Sequence, residues 1–258
     1  RVNDITAADI RQWQNELIKM GYSPTYLKTI NNQLSAIFNY AVRYYDLKSN
    51  PCEKAGSMGK SKAEEMDFWT VEEFRKFIDS VMNKRLSYMA FMTLYWTGMR
   101  LGELLALNPK DVDLKKRTIA ITKSYQRLGK KDVITPPKTP KSKRVITIPE
   151  FLAADIKDYM DSLYDLQEND RLFPITKYYL EHEMQRGIKE SGVKRIRVHD
   201  LRHSHASMLI ELGFSPLEIA NRLGHEKVET TLNTYAHLYP NKQTKLAERL
   251  DSEYREDL

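Results

Sequence analysis

Apolar residues recur every three to four positions through most of the chain, and one basic stretch breaks that period with alternation. Ile10, Trp13, Leu17 and Met20 fall on one face, which predicts a helix over 4–20 that Thr6 caps and Gly21 ends. Ser23 followed by Pro24 opens a second helix, and Tyr26, Leu27, Ile30, Leu34, Ile37, Phe38 and Ala41 give it an apolar stripe to about Tyr45. Residues 49–67 carry Pro, Gly, Ser and Lys with few large apolar side chains and read as a linker. Periodicity resumes at Thr70-Val71-Glu72-Glu73, a capping-box spacing, and runs to about Met82. Tyr88 to Trp96 is almost wholly apolar, the pattern of a helix buried on most sides. Gly98 interrupts it, and Arg100 to Leu107 resumes helix.

Between Asp111 and Arg144 the period shortens to two. Residues 118–122, 132–135 and 144–148 read as short strands of a small antiparallel sheet. The stretch 123–144 holds eight Lys and Arg against one Asp. Past Pro149 the helical period returns over roughly 150–165, 176–190, 200–212, 216–223, 228–235 and 241–256. Ser215-Pro216-Leu217-Glu218 is a further capping box. The fold class is mainly α with a small antiparallel β-sheet (α+β). The domains expected are 1–56, a linker at 57–68, and 69–258.

Composition narrows the function classes. The 258 residues are 41% hydrophobic, enough for a real core and against global disorder. A net charge of +6 points to a polyanionic partner. Cys52 is the one cysteine, so neither an intramolecular disulfide nor a cysteine-based metal site can form. No apolar run is long enough to span a bilayer. The chain opens at Arg1 in helix-forming sequence, which reads as part of a longer protein with a partner helix upstream.

Three clusters hold side chains suited to phosphate chemistry. In Thr97-Gly98-Met99-Arg100-Leu101-Gly102-Glu103, a guanidinium projects from a break after an apolar helix, and its fork of donors matches two phosphate oxygens. Glu103, one turn on, can fix its geometry; a purely structural Arg–Glu pair is the alternative. In His199-Asp200-Leu201-Arg202-His203, His199 and Arg202 share a helical face. His199 and His203 stand four apart, as metal ligands can, but no third ligand is near in sequence. His182, His205 and His237 read as surface or packing residues. In the third cluster His225 follows Leu223-Gly224, and Tyr235 lies ten residues further on in a polar, Thr-rich run. A phenol with a pKa of ~10 needs nearby cations to act as a nucleophile. The basic loop offers Lys138, Lys141 and Lys143, and the residues alone do not choose among them.

Taken together, Thr97-Gly98-x-Arg100-x-x-Glu103, Lys138-Thr139, His199-x-x-Arg202, Leu223-Gly224-His225 and Tyr235 resemble the tyrosine recombinase (phage-type integrase) family. The resemblance covers roughly 69–245 in the family's order and spacing, and is similar to integrases of Gram-positive phages and conjugative transposons. More loosely, residues 1–56 resemble part of the helical core-binding domain that precedes the catalytic domain. It implies that Tyr235 attacks a DNA phosphodiester to give a 3′-phosphotyrosine while Arg100 and Arg202 clamp the non-bridging oxygens. Lys138, at the turn of a β-hairpin, would protonate the leaving 5′-oxygen. His199 would serve in proton transfer with the nucleophile, His225 would donate to the phosphate, and Glu103 and Asp200 would buttress the set. No metal or other cofactor is implied, since the covalent bond conserves the phosphodiester energy.

The basic residues Lys123, Arg127, Lys130, Lys131, Lys141, Lys143 and Arg144 are expected to contact the DNA backbone, with salt-sensitive affinity. The partners implied are double-stranded DNA, a homotetramer on that DNA, and an excisionase or host bending protein, in the cytoplasm at the nucleoid. Residues 241–258 offer Leu246, Ala247 and Leu250 at helical spacing, either to dock on a neighbouring copy or to pack on their own domain. A DNA-binding regulator of the same fold and a type IB topoisomerase-like relaxing enzyme are the alternative functions.

Overall fold

The computed structural model describes residues 1–60, 67–137 and 139–239. It divides into two compact units, Arg1–Met66 and Asp67–Leu258. Residues 61–66 of the linker candidate, Lys138 and the helix expected over 241–256 thus lie outside the described residues.

In the first unit, a 3-10 turn at Val2–Asp4 leads to α1 (Ala7–Lys19), followed by α2 (Pro24–Tyr44) and α3 (Pro51–Ala55). Thr6 and Ser23 cap α1 and α2, each hydroxyl accepting the backbone N–H three residues on. Helix α3 falls inside the stretch that reads as a linker. Asn50 caps it, accepting the N–H of Cys52 at 2.9 Å, and Pro51 takes its first position. Five residues are too few to show a period, so composition hides this helix. Cys52 and Ala55 close a small core with Ile10 and Phe38. Gln14 is fully buried, and its amide donates at 2.8 Å to both Asn31 Oδ1 and the Gly56 carbonyl, which satisfies both donors.

The second unit begins with α4 (Val71–Val81), whose Thr70–Glu73 capping box forms as its spacing predicts. Then come α5 (Arg85–Thr97), the single turn α6 (Leu101–Leu104), and the strands β1 (Val112–Asp113), β2 (Thr118–Ile121), β3 (Ser124–Leu128), β4 (Lys131–Thr135) and β5 (Arg144–Thr147). Helices α7 (Glu150–Asp161), α8 (Lys177–Ser191), α9 (Asp200–Glu211), α10 (Pro216–Leu223) and α11 (Val228–Tyr235) follow. Helix α5 is the axis of this unit and packs against α4, α7 and α9. Its Met89, Ala90, Phe91, Leu94 and Tyr95 are buried, and the Tyr95 ring stacks on Phe74 of α4. Each large apolar side chain so enclosed contributes roughly 1.5–3 kcal/mol relative to exposure.

The strands form two sheets rather than one. β1, β2 and β5 make a three-stranded antiparallel sheet, while β3 and β4 pair as a separate hairpin. Strand β3 escapes the periodicity because only its Tyr125 is buried, leaving Gln126, Arg127 and Leu128 exposed. The expected hairpin between 132–135 and 144–148 is therefore corrected: the segment after β4 crosses from one sheet to the other. Arg100 to Leu107 is likewise not one helix. It makes the turn α6 and then a 3-10 turn at Pro109–Asp111.

Candidate active site

The site is built where helices end. The last turn of α5 is tied by the Thr97 hydroxyl, which donates to the Thr93 carbonyl at 2.6 Å. Gly98 then takes a left-handed conformation with φ of 65°. A Cβ on Gly98 would lie 2.5 Å from His205 Cδ2 and 2.7 Å from Leu223 Cδ2, so a side chain is excluded both by conformation and by space. The turn delivers Arg100 to the N-cap of α6. There the Glu103 carboxylate accepts the Arg100 backbone N–H at 2.8 Å and its guanidinium at 2.9 Å.

Glu103 is buried and has a second guanidinium. Arg144 donates to it through two nitrogens, at 3.1 and 2.8 Å, and its Nε donates to the Arg222 carbonyl at 2.9 Å. Burial opposes the charged form of Glu103, but the bonds and charge of Arg144 and Arg100 outweigh it and hold the carboxyl below its usual range. The side chain of Arg144 is only 7% exposed, against 39% for Arg100. Arg144 was expected on the DNA backbone; that reading is corrected, because its donors are spent inside the protein. Lys123 is corrected in the same way: its ammonium sits 2.7 Å from Asp111 and bonds Asn108.

Arg202, on α9, is buried and reaches the ends of two other helices. One terminal nitrogen donates to the Gly98 carbonyl and the other to the Leu223 carbonyl, each at 2.7 Å. Burial, then the charge of Arg100, pulls its pKa down to about 9. Three guanidiniums surround one carboxylate here, which leaves a surplus of positive charge suited to an anion. Asp200 does not share in this. It accepts both side-chain and backbone bonds from Arg197, at 2.7 to 3.0 Å, which hold it ionised against its burial.

Gly224, left-handed at φ of 70°, ends α10 and turns the chain to His225. A Cβ there would lie 2.9 Å from Arg144 Nη1, so the turn and the Arg144–Glu103 pair need each other's space. His225 Nδ1 is 2.8 Å from the hydroxyl of buried Thr231. Burial, then Arg202 and Arg100, pulls His225 down to about 4, so the ring is neutral at pH 7. His199 precedes α9 and is likewise lowered by burial and then by Arg202.

Tyr235 ends α11 and is 3% exposed, packed with Ala206, Leu209, Ile210, Ile219 and Leu223. Burial raises its phenol well above the usual range, with Arg202 acting the other way. Its hydroxyl lies 2.6 Å from Nδ1 of His203, a residue the sequence offered only as a metal ligand. The i, i+4 spacing with His199 was the available signal, and the phenol 32 positions on was not legible from it. Among the described residues no group of three or more His, Cys, Asp or Glu is placed to hold a metal ion.

A cleft of about 380 Å³ opens beside these groups, lined by Arg100, Glu103 and His225 together with Ser124, Gln126 and Thr135 of the β3–β4 hairpin. Arg127, Lys130 and Lys131 stand exposed towards the tip of that hairpin, although Arg127 is 3.6 Å from Asp132. Lys143 is exposed, and Lys141 donates to the Glu226 carbonyl at 3.0 Å. His182 and His237 are exposed, whereas His205 is buried and accepts from Arg222 at 2.9 Å.

The sequence profile of the phage integrase family matches residues 65–242. The ICEBs1 integrase of Bacillus subtilis (strain 168) is 34% identical, covering 97% of this chain and 72% of its own length. A XerC-like tyrosine recombinase of Caldanaerobacter subterraneus subsp. tengcongensis is 26% identical over the same shares. Among solved structures, the Tn1549 transposon integrase in complex with transposon right end DNA superposes with a TM-score of 0.80 at 20% identity, covering 99% of this chain and 87% of that one. A lambda integrase dimer bound to a core site gives 0.64 at 20% identity, over 88% and 81%.

Proposed function

This chain belongs to the phage integrase family and is a tyrosine-type site-specific DNA recombinase that integrates or excises a mobile element, and we propose that Tyr235 is its nucleophile. The phenolic oxygen attacks the scissile phosphorus, the bond to the 5′-oxygen breaks, and the protein is left joined to the 3′-phosphate. Arg100 and Arg202 hold the non-bridging oxygens. Phosphoryl transfer spreads negative charge over those oxygens, so donors fixed beforehand lower the barrier most. Glu103 and Arg144 set the angle of Arg100, and the Gly98 and Leu223 carbonyls set that of Arg202. His225 is neutral and donates to the phosphate from Nε2 when the Thr231 hydroxyl donates to Nδ1. His199 stands beside Arg202 and takes part in proton transfer. Lys138 protonates the departing 5′-oxygen, and Asp200 steadies the start of α9.

The observation that carries this reading is geometric convergence. Arg202 is held at 2.7 Å by the carbonyls of Gly98, two residues before Arg100, and of Leu223, which shares a buried cluster with Tyr235. The partner is double-stranded DNA, as in the complexes of the Tn1549 and lambda integrases. Its backbone meets Arg127, Lys130, Lys131, Lys141 and Lys143. Four copies act on two duplexes, with an excisionase or a host bending protein setting the direction, at the nucleoid in the cytoplasm. Among the described residues no helix is long and apolar enough to cross a membrane.

Trapping on a nicked duplex that carries the element's joined ends tests the proposal. A protein–DNA adduct that survives denaturation, and is absent for Tyr235→Phe, is the expected result. An adduct that persists in Tyr235→Phe would assign the nucleophile elsewhere.

A further inference from the structure

The Tyr235 hydroxyl has one hydrogen-bond partner among the described residues, His203 Nδ1 at 2.6 Å, and no such bond joins it to His199. We infer that His203 is the catalytic base that takes the Tyr235 proton as the phenol attacks phosphorus, an inference that rests on the recombinase reading above. The phenolic O–H bond breaks and an N–H bond forms at Nδ1. The phenolic oxygen bonds to phosphorus, and the 5′-oxygen departs with a proton from Lys138. On rejoining, the imidazolium returns its proton to the phenol.

The geometry suits this transfer. Both partners are held by α9: His203 is part of it, and Tyr235 is wedged against its Ala206, Leu209 and Ile210. The pair therefore needs little ordering when substrate arrives. The charged and titratable groups facing His203 are His199, Asp200 and Arg202 of the same segment, Arg197 just before it, His225 after α10, and Tyr235 itself. Burial, then His199, lowers His203 to about 4, so in the free protein the ring is neutral, and its Nε2–H tautomer presents the Nδ1 lone pair to the phenolic O–H at 2.6 Å. Among the described residues Asp200 is the one facing carboxylate, and it favours the imidazolium that the step creates. A DNA phosphate seated at Arg202 adds negative charge beside the ring and raises its proton affinity. The base thus strengthens when substrate is bound.

The test uses the full chain and a duplex of the element's joined ends, with either the natural phosphodiester or a 5′-bridging sulfur at the scissile position. A sulfur leaving group needs no proton, so it relieves loss of the acid but not loss of the base. His203→Ala and His203→Gln are expected to slow adduct formation by about 10²-fold or more on both duplexes, with duplex affinity within about twofold of the parent. Added imidazole is expected to restore His203→Ala, and the acidic limb of the pH–rate profile is expected to vanish in both variants. Adduct rates within about threefold of the parent, rescue of His203→Ala by the sulfur duplex, or an unchanged pH profile would each overturn the inference. If His203→Ala does not fold, His203→Gln, whose amide can still bond the hydroxyl, carries the comparison. A parent chain that forms no adduct would sink the recombinase reading and this step with it. A competent parent with indifferent His203 variants would sink this step alone.

Discussion

Arg144 and Glu103 meet through two hydrogen bonds, at 3.1 and 2.8 Å, with both side chains almost wholly enclosed. Such a pair is costly to break from one side, because the survivor keeps an uncompensated charge away from water. Glu103→Ala is expected to lower unfolding stability by about 3–5 kcal/mol in urea titrations. Arg144→Lys keeps the charge and loses the fork, so its loss is expected to be smaller. A Glu103→Ala variant as stable as the parent would show that the enclosed pair does not hold this region together.

Gly98→Ala is expected to damage catalysis more than DNA binding. The left-handed φ of 65° alone costs an alanine about 1–2 kcal/mol. The new Cβ would also press on His205 and Leu223, and Gly98 supplies one of the two carbonyls that hold Arg202. Adduct formation should fall by at least about tenfold while duplex affinity changes little, measured side by side on the same DNA. Equal losses in both would place Gly98 in folding or binding alone.

The hairpin tip and the buried arginine should separate in their response to salt. Lys130 and Lys131 are exposed, and Arg144 is not. Replacing either lysine by alanine is expected to reduce the slope of log affinity against log salt by about 0.9 for each phosphate that the lysine neutralises. Arg144→Ala, tested at a temperature where it stays folded, is expected to leave that slope unchanged. A slope for Arg144→Ala that falls as far as it does for the lysine variants would restore Arg144 to the DNA surface.

Acid should destabilise the protein through its enclosed imidazoles. His203 and His225 are lowered to about 4 and His205 to about 3, in each case chiefly by burial. The unfolded chain binds those protons near pH ~6.5 and the folded chain does not. Their contribution is therefore complete above about pH 6.5 and is lost as pH falls towards the folded values. His205→Gln is expected to remove about one proton, ~1.4 kcal/mol per pH unit, from the slope of stability against pH near ~5. An unchanged slope would mean that His205 titrates normally.

The legible part of this molecule lies where chemistry and local geometry coincide. Ser215 and Glu218 announce the start of α10, and the bonds between them form as their spacing requires. Arg100, Arg202, His225 and Tyr235 could be named because each stands beside a glycine break or at a characteristic spacing. What stayed hidden depends on enclosure. Lys123 and Arg144 show their charge in the sequence, but Asp111 and Glu103 neutralise them across 12 and 41 positions. The His203–Tyr235 bond depends on how α9 and α11 pack, which no short spacing encodes. Strand β3 failed for the opposite reason, having too little buried to print a pattern.

Arg202 is gripped by two peptide carbonyls, at Gly98 and Leu223, so its anchorage survives most changes of side chain at those positions' neighbours. The ribbon of β3 and β4, by contrast, ends in exposed residues that hold little else in place. Charge at the ribbon's tip can therefore be altered without loosening the peptide grip that fixes the guanidinium in the interior.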